Sequence, residues 1–241
     1  MNFRPMADGR RDVGLRDGGT VVFKMTPAES SAPHDRRTRH VLHTGCGTYS
    51  AGKLHPIFGG RGWRETRLDI DSSVQPDIVC SVHDMTSFVP SGAYDAIWSS
   101  HQIEHLHAHE VPLAFREIYR VLRADGFALL RCPDLEAVAE TLLRDGPEHT
   151  AYLSPAGPIS ALDMLYGHGA SIADGKMAMR HHTGFTADRL GRSLIDAGFA
   201  EVHTKRVAAF DLWAVAFMEK ATPSVVLAEL ARCGVAFDRE S

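Results

Sequence analysis

The stretch Thr-Arg-His-Val-Leu-His-Thr-Gly-Cys-Gly, residues 38–47, is the part of the chain that indicates its fold class. Its apolar middle predicts a buried strand, and its two glycines predict a turn where that strand ends. Glycine has no Cβ, so a ligand can come close to the backbone of such a turn. From here onward, short strands alternate with helical periodicity, which is typical of a mostly parallel sheet.

Six further segments predict strands. They are residues 66–70, 77–81, 94–99, 127–131, 202–207 and 210–218. A helix over 111–123 has Pro112 in its first turn and an apolar stripe, and Thr186 is placed to cap another. The last two strands follow each other directly, which indicates an antiparallel hairpin. We therefore expect an α/β fold with a doubly wound, mostly parallel, seven-stranded sheet and a terminal antiparallel hairpin.

Outside the alternating pattern lie two segments. Residues 1–37 lack strong periodicity and predict a peripheral N-terminal arm with one short strand near residues 20–25. Residues 38–241 predict a single domain, within which 147–183 form an insertion rich in glycine. Because this insertion follows the fifth strand, we expect it to cover the carboxyl end of the sheet on the substrate side. The alternative is a structural insertion with its own small core.

Composition narrows the function classes. The 241 residues include 26 Lys and Arg against 30 Asp and Glu, a formal net charge of −4, which argues against a nucleic-acid partner. The N-terminus is polar, and the longest apolar run, 212–218, is too short for a membrane span. The four cysteines are scattered, so no disulfide framework is expected. We expect a cytoplasmic protein that acts on a small molecule, and the sequence does not indicate its oligomeric state.

Carboxylates follow the next two predicted strands. Asp69 ends the second strand, where an acid can accept hydrogen bonds from both hydroxyls of a ribose. Asp71 would share its face if that strand continued. Asp84 follows the third strand, where its carboxylate could accept from the amine of adenine while a neighbouring backbone N–H donates to the ring. For each acid alone, a solvated loop residue is the alternative.

These ordered motifs resemble those of class I S-adenosylmethionine-dependent methyltransferases, and most of all the bacterial "methyltransferase type 11" group. The motifs are residues 43–48, 68–71, 83–85, 94–100 and 120–127, the last similar to that group's RVLKPGG segment. By this resemblance, the cofactor S-adenosyl-L-methionine is held at the strand ends. The residues implied are Gly45, Cys46 and Gly47 for its methionine part, Asp69 for its ribose, Asp84 and Met85 for adenine, and Ser99 near the sulfonium.

Two positions depart from the group's pattern. His43 stands where the group usually has an acid that supports the cofactor's amino group, and Tyr49 replaces the third glycine of the loop. These departures leave open a domain that binds the cofactor but regulates or scaffolds without turnover. A dinucleotide-binding domain is disfavoured, since its glycine motif would need glycine at Ser50.

The segment 101–109 contains four histidines, the usual metal ligand and general base near neutral pH. On a helix, His101, Glu104 and His105 would share one face. The string H-x-x-E-H matches a zinc-protease signature, which raises a metallohydrolase as a third hypothesis. It also resembles the E-x-x-E-H of some metal-dependent methyltransferases. Whether a metal binds is left open by the sequence.

The leading hypothesis is methyl transfer to an oxygen, nitrogen or carbon atom of a small or medium-sized acceptor. The protein then mainly aligns the reacting atoms and excludes water. A base is needed only if the nucleophile arrives protonated. His101 is the first candidate base, from its position after the fourth strand, and His181 or His182 is the second.

Overall fold

The computed structural model describes residues 20–24, 38–60, 62–208 and 210–237. Its strands are β1 (Thr20–Lys24), β2 (Arg39–Thr44), β3 (Trp63–Asp69), β4 (Ile78–Val79), β5 (Tyr94–Ser100), β6 (Leu122–Pro133), β7 (Thr150–Ser154), β8 (Gly157–Ser160), β9 (Glu201–Val207) and β10 (Asp211–Phe217). Within these ranges, eight strands form one sheet in the order β1-β9-β10-β6-β5-β2-β3-β4, and β7 pairs with β8 separately.

Strands β2 to β6 run parallel, whereas β10 is antiparallel to both β6 and β9. The predicted seven-stranded, doubly wound sheet with a terminal hairpin is therefore confirmed. The N-terminal arm adds an eighth strand, because β1 pairs antiparallel with β9 at the sheet edge. The remainder of that arm, 1–19 and 25–37, lies outside the described residues.

The helices are α1 (Val111–Val121), α2 (Leu135–Asp145), α3 (Ala161–Tyr166), α4 (Gly169–Ala173), α5 (Ala187–Ala197) and α6 (Pro223–Arg232). Helix α5 begins where the sequence predicts, since Thr186 Oγ1 accepts a hydrogen bond from the N–H of Arg189 at 3.1 Å. It ends at Gly198, whose φ of 118° is easily adopted only without a Cβ. None of the helices in the described ranges has the length and apolar character that crossing a membrane requires.

Both faces of the sheet are covered. Helices α1 and α5 pack on one face, where Phe115 and Leu190 are fully buried. On the other face α6 packs against an aromatic cluster that contains Phe58, Trp98 and Trp213. Burial of each large apolar side chain contributes about 1.5–3 kcal/mol, so the two layers hold the strand ends of the site in fixed positions.

The connection from β2 to β3 is not a helix, in contrast to the alternation that the sequence suggests. Among the described residues of this connection, the only helical element is a 3-10 turn, Pro56–Phe58, capped by Nδ1 of His55. The segment 51–62 contains four glycines and a proline, which disfavour a longer helix. Phe58 and its aromatic neighbours cover the sheet in place of that helix.

The insertion 147–183 consists of the β7–β8 hairpin, α3, α4 and a 3-10 turn, Met177–Met179. It packs onto α2 through a small cluster that joins Val138 to Ile159 and Met164. A capping box between Ser160 and Asp163 starts α3. The segment thus has a small core of its own, shared with α2, while its role toward a substrate stays a prediction.

Candidate functional site

The glycine turn follows β2 as predicted. Gly45 and Gly47 have φ values of 62° and 57°, which glycine adopts without strain. The N–H of Cys46 donates to the carbonyl of Leu68 at 3.2 Å, so the loop is anchored to β3. A Cβ on Gly45 would lie 2.2 Å from Cγ of Gln102, so this loop and the turn after β5 are in close contact.

Asp69 lies beside this loop at the end of β3. Its Oδ2 accepts a hydrogen bond from the N–H of Gly47 at 2.7 Å, and its Oδ1 accepts one from Asp71 at 3.0 Å. Asp71 does not continue the strand. Its exposed carboxylate instead caps the 3-10 turn Ser72–Val74 through the N–H of Ser73, and hydrogen bonds to Ser73 lower the pKa of Asp71.

Arg67 was not anticipated from the sequence. Its guanidinium donates to the carbonyls of Gly47, Val74 and Gln75, and thereby ties the glycine loop to the turn after β3. The Tyr49 ring lies 5.6 Å from it. Its position in the sequence could have indicated this role, because Arg67 precedes Asp69 by two residues and therefore lies on the same face of the strand.

The residues after β4 are less open to a ligand. Asp84 is exposed, whereas Met85 is fully buried, and its N–H donates to Glu117 Oε2 at 2.9 Å. That N–H already has a partner, so only the Asp84 carboxylate keeps unused acceptor capacity. The assignment of both residues to adenine stays a prediction.

At the end of β5, Ser99 is fully buried and its hydroxyl donates to Oε1 of Gln102 at 3.2 Å. Since Gln102 also contacts Gly45, the ends of β2, β3 and β5 meet at one place. His43, also buried, has its Nδ1 2.7 Å from Glu65 Oε1. Burial lowers the pKa of His43, against the opposing effect of Glu65. A histidine–carboxylate pair thus stands where the resembled family usually has an acid.

His101 does not share a helical face with Glu104 and His105, so that expectation was wrong. It has a φ of 50°, and a single 3-10 turn, Ile103–His105, follows it. Its Nδ1 lies 3.4 Å from Glu104, and its Nε2 lies 3.4 Å from Asp211. Desolvation alone would lower the pKa of His101, but the two carboxylates outweigh it and raise the pKa to about 9. His101 is therefore a cation at neutral pH.

His181 and His182 line a cavity of about 180 Å³ between the turn after β5, the start of α2 and the insertion. The Nδ1 of His181 lies 2.8 Å from the carbonyl oxygen of Met164, and burial lowers the pKa of this histidine. The exposed ring of His182 stacks on His107 at 4.0 Å, and desolvation and neighbouring histidines lower its pKa. Both imidazoles are neutral at pH 7.

Of the other aromatic residues of the insertion, some line the cavity and others do not. Tyr166 lines the cavity, whereas Tyr152 stacks on Phe210 outside its lining. His168 lies just before α4, where its Nδ1 pairs with the hydroxyl of Ser171 at 2.8 Å. The cavity is therefore built from fewer aromatic groups than the composition of the insertion suggests.

A family model described as a methyltransferase domain matches residues 42–130. No curated protein sequence matches the chain. Among solved structures, a 1,6-didemethyltoxoflavin-N1-methyltransferase from Burkholderia thailandensis is 19% identical, with 76% of this chain and 72% of that chain covered and a TM-score of 0.48. A SAM-dependent methyltransferase from Archaeoglobus fulgidus is 13% identical, with 76% and 87% covered and a TM-score of 0.48. Identities and TM-scores this low support no conclusion about the substrate of this chain.

Proposed function

We propose that this chain is a class I S-adenosylmethionine-dependent methyltransferase, which the methyltransferase-domain match over residues 42–130 supports, and that it methylates a small molecule held in the cavity beside the insertion 147–183. One observation carries the proposal. Gln102 lies against Gly45 of the glycine loop, and Glu104, two residues later, lines the cavity. The cofactor loop and the cavity are therefore joined by one short turn.

The methyl donor in this proposal is S-adenosyl-L-methionine, and the residues present fit it. The glycine loop has no side chain at two of its positions. Each oxygen of a carboxylate offers about two acceptor positions, and each oxygen of Asp69 accepts one backbone hydrogen bond. One position per oxygen thus remains for the ribose hydroxyls. The bound donor supplies a methyl group on a positively charged sulfur.

The chain's own residues position the acceptor and exclude water. Leu135, Val138 and Met164 form an apolar part of the cavity wall, which favours a desolvated acceptor. His101 is protonated at neutral pH and paired with two carboxylates, so it is a poor proton acceptor. His181 and His182, which are neutral, are better placed to accept a proton from the nucleophile.

The proposal is tested with the purified full chain, S-adenosyl-L-methionine and a metabolite extract separated by size. We expect S-adenosylhomocysteine to be released with the low-molecular-weight fraction and not with the protein or nucleic-acid fractions. The variant Asp69→Ala serves as the control with weakened cofactor affinity. Cofactor binding without release in any fraction would instead support a regulatory or scaffold domain.

A further inference from the structure

Three side chains converge on the cavity wall. Glu104 and His105 belong to the 3-10 turn after β5, and His181 comes from the end of the insertion. One ligand atom from each lies within 4.8 Å of the other two. The two imidazole rings are 4.9 Å apart between centroids. The packing of the insertion against the sheet therefore assembles two histidines and a carboxylate in one place.

Hydrogen bonds orient both imidazoles for ligation. The Nδ1 of His105 lies 2.9 Å from the carbonyl oxygen of Arg180, and the Nδ1 of His181 lies 2.8 Å from that of Met164. A carbonyl oxygen can only accept, so each Nδ1 carries the hydrogen and each Nε2 keeps a lone pair. Metal-binding histidines characteristically donate their second ring N–H to a carbonyl or carboxylate in this way.

Glu104 provides an independent observation. The residue is 1% exposed, and neither carboxylate oxygen has a hydrogen-bond partner within the part of the chain that the structure describes. The 3.4 Å ion pair of Oε1 with His101 is too long for a good hydrogen bond. A buried carboxylate without hydrogen bonds is costly to maintain. The charge of His101 offsets part of that cost at Oε1, and a metal ion would give the unpartnered Oε2 a ligand.

We propose that Glu104, His105 and His181 bind a divalent transition-metal ion, for which Zn²⁺ is the best match to two imidazoles and one carboxylate. This set differs from the helical face considered in the sequence, because His181 takes the place of His101. Three protein ligands leave a fourth position open to the cavity that Glu104 and His181 line. That position takes water or an oxygen atom of the acceptor. The acceptor's role rests on the proposed function, whereas the ion site does not.

Bound there, the ion would lower the pKa of a coordinated hydroxyl and so favour an oxygen nucleophile. The hydroxyl proton would pass to a neighbouring base as the oxygen attacks the methyl group. His182 lines the same cavity and is not one of the three proposed ligands, so its imidazole is placed for this purpose. The proposal thereby selects alcohols and phenols as the acceptor class.

The test is titration of the metal-free full chain with zinc chloride, without cofactor or acceptor, and with Co²⁺ as a spectroscopic substitute. We expect one ion per chain and cobalt absorption typical of four-coordination. Glu104→Gln and His181→Ala should each weaken zinc binding by at least about tenfold. His182→Ala is the matched control, because its exposed ring is adjacent in sequence but outside the three ligands. Circular dichroism establishes that each variant is folded.

Folded wild-type chain that binds no stoichiometric zinc would overturn the site, and so would equal losses in His182→Ala and His181→Ala. Methyl transfer is assayed separately. Zinc binding without any methyl transfer would contradict the proposed function and leave the site intact. Full activity in chelator with a hydroxyl acceptor would overturn the role assigned to the ion.

Discussion

At the scale of single residues, Asp69 connects the glycine loop to the turn after β3. Its two oxygens hold the N–H groups of Gly47 and Asp71, while Arg67 holds the carbonyl of Gly47. The conformation of the loop is thereby coupled to the acid that would bind the ribose. Loss of this carboxylate removes both a ligand group and a support of the loop.

We expect Asp69→Ala to weaken the binding of S-adenosylhomocysteine by roughly 1.5–3 kcal/mol, the range for a hydrogen bond to a charged group. Calorimetry measures the affinity. Asp71→Ala is the control, since its exposed carboxylate caps only the following turn. Unchanged affinity in Asp69→Ala, together with a loss in Asp71→Ala, would mean that Asp71 is the ribose acid.

The buried His55 predicts a pH dependence of stability. Desolvation, aided by the charge of Arg131, lowers its pKa from 6.5 to about 4. Below pH 6.5 the unfolded chain binds a proton at this site more readily than the folded chain. The contribution of neutral His55 to the free energy of unfolding is therefore complete above about pH 6.5 and is lost as the pH falls from there through about 4. The loss amounts to up to about 3 kcal/mol.

The variant His55→Asn tests this, because its amide oxygen can still accept from the N–H of Ile57 but does not titrate. Urea unfolding at several pH values between 4 and 7 gives the free energy of unfolding. We expect wild type to lose more stability than the variant over this range. Parallel pH curves for the two proteins would show that His55 is protonated equally in both states.

At the scale of elements, the backbone at the end of α3 packs closely against the backbone of the 3-10 turn Met177–Met179 within the insertion. Gly167, which follows α3, has a φ of 95°, and a Cβ there would lie 2.0 Å from the carbonyl oxygen of Met179. Gly146 has a nearly equal φ of 94°, with nothing within 4 Å of such a Cβ. Both glycines have a φ that disfavours a residue with a Cβ, but only at Gly167 would the added Cβ also clash with a neighbouring atom.

We expect Gly167→Ala to destabilise the protein by about 1–3 kcal/mol more than Gly146→Ala, the usual cost of overpacking. The difference should appear in urea unfolding and as faster amide hydrogen exchange across residues 161–183. Equal destabilisation by the two substitutions would contradict the close packing of α3 against the turn Met177–Met179.

At the scale of the whole molecule, the insertion and the sheet are separable in principle. The large sheet and its covering helices form without β7, β8, α3 or α4. The insertion nevertheless contributes part of the cavity wall, including His181 and His182, and packs on Val138 of α2. Its removal should therefore affect the proposed acceptor site and leave the glycine loop unchanged.

We expect replacement of 147–183 by a short Gly/Ser linker to keep cofactor binding and abolish methyl transfer. Calorimetry with S-adenosylhomocysteine and the release assay measure the two properties. A truncated chain that methylates its acceptor at the normal rate would refute the substrate role of the insertion. A chain that no longer folds would mean that the insertion's small core is essential to the domain.

Most of the fold is predictable from local sequence, because strand alternation, helix caps and glycine turns are set by neighbouring residues. The ends of α5 at Thr186 and Gly198 and the glycine loop with Asp69 follow from such signals. The alternation of strands and helices is interrupted between β2 and β3, where a 3-10 turn, Pro56–Phe58, stands and aromatic side chains from distant strands cover the sheet.

The arrangement of the histidines depended on packing that no local pattern encodes. His101, Glu104 and His105 are close in sequence, but they do not share a helical face. His101 has a left-handed backbone conformation, and only a single 3-10 turn follows it. The imidazole of His101 lies between Glu104 and Asp211 of β10, and the insertion brings His181 to Glu104 and His105. Contacts between segments far apart in the chain arise only when the sheet and insertion pack, so the proposed ligand set follows from the tertiary structure and not from the spacing.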